Sequence, residues 1–157
     1  MHHSAFKLLA MAILTSLAVA LAAAPPNFSG VWKANIAKSD FGPMPAPIGA
    51  SSKIDHQDPH LKLVGTEVRE EGERTFEMNI STDGAQTTNR IGPLTLTTKA
   101  RWEGSTLLVD SKASTDDGEV AIKDQWSLSE DGKTLTVVRN VYSPRGDFTI
   151  KVIQEKQ

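Results

Sequence analysis

Between Leu94 and Ala113 the chain reads LTLTTKARWEGSTLLVDSKA. Leu94, Leu96, Thr98, Ala100 and Trp102 fall on one side of an extended backbone, with Lys99 and Arg101 on the other. Beyond Glu103-Gly104 the apolar side resumes at Leu107 and Val109, with Lys112 opposite. A period of two with one wet face marks antiparallel strands lying on a core.

The same alternation recurs outward in both directions. Phe28, Gly30, Trp32, Ala34 and Ile36 share a face, as do Phe76, Met78 and Ile80; Val120, Ile122, Trp126 and Leu128; and Leu135, Val137 and Val141. Glu77, Arg90, Lys123 and Thr136 take the outer faces. No apolar helical pattern persists after residue 25. Asp83-Gly84 and Asp131-Gly132 read as two-residue hairpin loops, whose central positions need positive φ. Glu103-Gly104, Asp116-Asp117-Gly118 and Ser143-Pro144-Arg145-Gly146 mark further turns.

Each turn implies a register. Asp83-Gly84 sets Glu77 against Arg90 and Phe76 against Ile91. Glu103-Gly104 sets Ala100 against Leu107 and Thr98 against Val109. Asp116-Asp117 sets Asp110 against Lys123, and Asp131-Gly132 sets Leu128 against Leu135 and Trp126 against Val137. The expected fold is all-β, an up-and-down antiparallel barrel of about ten strands, closed because a long one-sided sheet must hide its edges. A β-sandwich is the alternative. An outer-membrane barrel is excluded, because charges on alternate outer positions cannot face lipid.

At 157 residues, 39% hydrophobic and 23% charged, the chain suits one domain. A net charge of −2 offers no basic face for nucleic acid. The absence of cysteine excludes disulfides, thiol chemistry, Cys-ligated zinc, iron–sulfur centres and a lipoprotein anchor. Lys7 followed by an uncharged run from Leu8 to Ala24 has the layout of a secretory signal, with Ala20-Leu21-Ala22 at its exit. Residues 1–22 are therefore expected to be cleaved, leaving a single domain over 23–157 without a membrane span, secreted or periplasmic. Pro43, Pro45 and Pro47 with Gly42 and Gly49 make 37–52 a Pro-rich loop, read either as a lid seated through Phe41, Met44 and Ile48 or as a plain connector.

With Gly30-x-Trp32 opening its first strand before a meander, the chain resembles the calycin barrels, the lipocalins and fatty-acid-binding proteins. The resemblance implies that Trp32 closes the barrel base and that the interior takes a small ligand. About ten strands is nearer the fatty-acid-binding type, yet the Pro-rich stretch lies where that type carries a helix pair. That type also holds a ligand carboxylate with Arg and Tyr two apart on a late strand. Arg139 and Tyr142 are three apart, on opposite faces, so that site does not carry over.

Polar residues interrupt the apolar faces at Thr87, Asn89, Thr98, Ser111, Asp124 and Arg139. The Asp131-Gly132 register sets Asp124 opposite Arg139 on the inner face, as a polar anchor with Arg139 free for a carboxylate or as an ion pair fixing the register. His56, Asp58 and His60 alternate as metal ligands would, but Pro59 breaks the strand, and the preferred reading is two exposed histidines at a strand–loop junction with no metal. Phosphate cradles and nucleophile elbows are missing, so no catalytic residue and no cofactor is expected, and the chain does not read as an enzyme. The function expected is a binder of an apolar or amphiphilic small ligand, its candidate site Arg139, Asp124, Trp126, Trp32, Met78 and Phe76, with Leu96 and Val137 also lining the interior. The alternative is a filled barrel serving as a structural or protein-interaction module.

Overall fold

The structure, a computed structural model, describes residues 24–157. The expected signal segment, residues 1–22, lies outside the described residues. Ten strands follow in order: β1 (Gly30–Ala34), β2 (Gly49–Gln57), β3 (His60–Arg69), β4 (Gly72–Ser81), β5 (Thr87–Ile91), β6 (Leu94–Glu103), β7 (Thr106–Thr115), β8 (Gly118–Leu128), β9 (Thr134–Tyr142) and β10 (Phe148–Lys156). They form one antiparallel sheet in the order β4-β3-β2-β1-β10-β9-β8-β7-β6-β5. The sheet curls into a nearly closed barrel. Its inner face holds Phe28, Trp32, Leu61, Leu107, Val109 and Leu135, all essentially inaccessible to water.

Turn chemistry sets most of the pairing. Gly132 adopts φ 68°, a conformation that costs glycine little, and the β8–β9 ladder pairs Leu128 with Leu135, Trp126 with Val137 and Asp124 with Arg139. Asp110 likewise pairs with Lys123. In the β6–β7 hairpin the expected register is two positions off. Gly104, at φ 60°, is the first loop residue rather than the second. Ala100 therefore pairs with Val109 and Thr98 with Ser111. A slip of two keeps every side chain on its own face.

Asp83-Gly84 does not make a hairpin. β4 and β5 are the two edges of the sheet, and the expected Glu77–Arg90 and Phe76–Ile91 pairs are not formed. The Asp83 carboxylate instead holds its own loop, accepting from Ser81 Oγ and the Ala85 amide. Midway along the seam the Asn89 side chain stands in for a missing peptide: Oδ1 accepts the Asn79 N–H at 2.7 Å and Nδ2 donates to the Asn79 carbonyl at 3.0 Å. Below it Asp83 bridges to Arg101 of β6. Above it the edges part.

The Pro-rich segment is shorter than expected. A single 3-10 turn (Ile36–Lys38) precedes it and β2 begins at Gly49. It crosses one barrel end, bridged to β10 through Asp40 and Lys151 and to β3 through Ile48 N–H donating to the Val68 carbonyl. Phe41 is half-buried, but Met44 and Ile48 point outward, 45% and 66% exposed. Backbone bonds fasten this segment at Asp40 and Ile48, and of its apolar side chains Pro47 is buried while two of the three expected lid anchors are not.

Candidate functional site: the barrel interior

The two barrel ends differ. At the end carrying the β2–β3 turn, the floor is aromatic. The Phe28 ring stacks on His56 (5.7 Å between centroids) and on Trp102 (5.7 Å), and meets Trp126 edge-on (5.8 Å). His56 is buried, which corrects the expectation of an exposed histidine; its alternation with inward Ser52 and Ile54 carries it into the core. The Phe28 amide donates to His56 Nδ1, so that nitrogen is an acceptor and the ring proton sits on Nε2, 3.1 Å from Asp58 Oδ1. The same oxygen accepts from Thr82 Oγ1 (2.6 Å) and Trp102 Nε1 (3.2 Å). The Thr82 hydroxyl foremost, then His56 and Trp102, hold the Asp58 carboxyl below its usual range against the opposing effect of burial. His60 is exposed. Among the described residues no cluster of three or more His, Asp or Glu is arranged to hold a metal ion.

Above the floor lies open space. A cavity of about 150 Å³ is bounded by Leu63, Phe76, Met78, Trp126, Val137 and Val152, with Ser52, Gln154 and Arg139 on its polar side. Through shared walls at Glu67, Phe76, Met78 and Arg139 it continues into a mouth of about 530 Å³, between β4 and the β5–β6 turn at Gly92-Pro93. The mouth is the unzipped upper part of the seam.

Two ion pairs stand beside this space. Asp124, 5% exposed, takes Arg139 in a fork: Nε to Oδ1 at 2.8 Å and Nη2 to Oδ2 at 2.7 Å. The Asp124 charge, outweighing the cost of burial, holds the guanidinium still more firmly protonated than usual. Arg139 keeps 39% of its side-chain surface because it borders the cavity. Glu67 pairs with Arg69 at the upper wall, and Arg69 Nη1 also donates to the Pro45 carbonyl. Ser52 Oγ donates to Gln154 Oε1 at 3.0 Å.

Arg139, Trp126, Met78 and Phe76 therefore meet around one space, with Asp124 directly behind Arg139. Trp32 does not join them. It is fully buried at the floor, its Nε1 donating to the Phe28 carbonyl, with Lys156 Nζ 5.5 Å above its ring. Leu96 is core on β6, away from the cavity wall. Ser52, Leu63, Glu67 and Gln154 were not anticipated; they lie on β2, β3 and β10, strands whose faces the turn registers do not reach. Arg139 is engaged by Asp124 rather than free.

No protein-family model matches the sequence, and no curated protein matches it. Solved structures do. A secretory abundant heat soluble protein from Ramazzottius varieornatus aligns with a TM-score of 0.59 at 14% identity, over 82% of this chain and 94% of that one. Zebrafish ileal bile acid-binding protein, complexed with cholic acid, aligns with a TM-score of 0.57 at 12% identity, over 83% of this chain and 98% of that one. The fold is that of the calycin barrels. Within that fold, the chain carries a proline-rich strap between β1 and β2, and Tyr142 faces outward at 44% exposure.

Proposed function

We propose that the chain is an exported carrier that holds a small apolar or amphiphilic molecule inside the barrel. The observation carrying this reading is the cavity between Trp126 and the seam, apolar on most sides and polar at Arg139, Ser52 and Gln154. Such sites combine an apolar lining with a few oriented polar groups. The calycin neighbour that binds bile acids supports the same use of the space. Export rests on the uncharged run after Lys7; N-terminal sequencing of secreted material should return Ala23 or Ala24, and a chain beginning at Met1 would remove that part of the reading.

Titration with fatty acids, retinoids and haem tests the carrier reading, with Trp126 on the cavity wall as the reporter. A saturable change in tryptophan emission, diminished in Trp126→Phe, is expected. Silence across the panel would favour the second reading, a filled barrel acting as a structural or interaction module. The observation on that side is the floor, where Phe28 and Trp32 are fully buried and Phe28 stacks on Trp102.

A further inference from the structure

We infer that the cavity selects a neutral polar head, an alcohol, ester or amide on an apolar body, over a carboxylate. The inference rests on the carrier reading and deepens it. A guanidinium has five N–H donors. Asp124 engages Nε and Nη2, and three donors remain for other acceptors.

Charge decides what those donors can hold. A carboxylate approaching Arg139 from the cavity meets a cation already offset by Asp124 at 2.7 Å, and must still shed its own water. No other wall supplies the missing charge. Arg69 is held by Glu67. Arg74 stands opposite Glu67 in the β3–β4 ladder, exposed at the mouth where water screens it. The Ser52–Gln154 pair is neutral. A hydroxyl or carbonyl oxygen brings a lone pair without a charge to desolvate, so the three remaining donors suit it. Asp124 is thus a positioning residue: it aims the guanidinium and cancels its charge.

The test compares 1-decanol, methyl decanoate and decanoate with the wild-type protein at neutral pH, by calorimetry and by tryptophan emission. Alcohol and ester should bind about tenfold more tightly than the acid. Asp124→Asn uncancels Arg139 and should raise decanoate affinity relative to the alcohol about tenfold. A wild-type preference for decanoate, or an acid-to-alcohol ratio that Asp124→Asn leaves unmoved, overturns the inference while the carrier reading stands. Binding of none of the three removes both. If Asp124→Asn does not fold, the wild-type ratio alone decides.

Discussion

Cutting the Asp124–Arg139 pair from its two sides should give unequal losses. Arg139→Met strands a carboxylate that is 5% exposed and was held by two hydrogen bonds of 2.7 and 2.8 Å. Removing one partner of a buried pair costs about 3–5 kcal/mol. Asp124→Leu strands a guanidinium that keeps 39% of its surface toward the cavity, where water can reach it. Screening there cuts the loss to about 1–2 kcal/mol. The double variant leaves no stranded charge and should be more stable than Arg139→Met alone, a coupling above about 1 kcal/mol. Urea unfolding followed by tryptophan emission and circular dichroism reads all three. With an unchanged slope, Arg139→Met should lower the midpoint by about 2 M. Equal single losses that sum to the double would refute the asymmetry and with it the placement of Arg139 beside open space.

Other perturbations probe the seam, the wall and the floor. A Cβ on Gly65 would lie 2.3 Å from Phe76 Cζ, so Gly65→Ala should force the ring toward the cavity, cost about 1–3 kcal/mol and weaken ligand uptake; unchanged stability and binding would show that the ring yields freely. Asn89→Leu strands the Asn79 N–H and carbonyl, with an expected loss of about 1–3 kcal/mol and faster hydrogen exchange at the Asn79 amide; undiminished protection there would mean the seam is held by something else. The Asp58 carboxyl sits below its ordinary 3.8 in the folded protein, so its contribution is complete above that pH and is lost as pH falls through the folded value. Asp58→Asn should remove that share of the acid sensitivity, visible as a flatter dependence of the unfolding midpoint on pH.

What the sequence disclosed followed from short-range signals. The β8–β9 loop is wider than the expected two positions, its turn bond running from the Gly132 N–H to the Ser129 carbonyl, but it stays centred on Asp131-Gly132, so Asp124 could be set against Arg139 by counting alone. Counting failed at Asp83-Gly84 for a physical reason. The dipeptide specifies a reversal, not a ladder, and which edges remain unpaired is decided by how the whole sheet curls. His56 was misread because Pro59 disguised the β2–β3 turn: Gln57 pairs with His60 across it, so the strand runs unbroken to Gln57 and its alternation continues inward. Arg139 could be placed on the inner face, but its full engagement by Asp124 depends on side-chain geometry that spacing does not contain. Ser52 and Gln154 meet across strands far apart in sequence, and no local pattern joins them.

The β1–β10 join has a consequence for how the barrel is assembled. Trp32 and Lys156, at opposite extremes of the described chain, are ladder partners, whereas the residues flanking the open seam are separated only by the short stretch between β4 and β5. The sheet thus consists of two runs of strands paired with their neighbours in sequence, β1 to β4 and β5 to β10, pairings whose loop closure is entropically cheap. Only their docking carries a long-range cost, and contacts of that kind set the pace of β-protein folding. The chain's continuity runs across the gap in the sheet, and the sheet's continuity runs across the gap in the chain. Among the described residues, the place where the sheet's edges stay unpaired is therefore also the place where a peptide tether keeps the two runs from drifting apart.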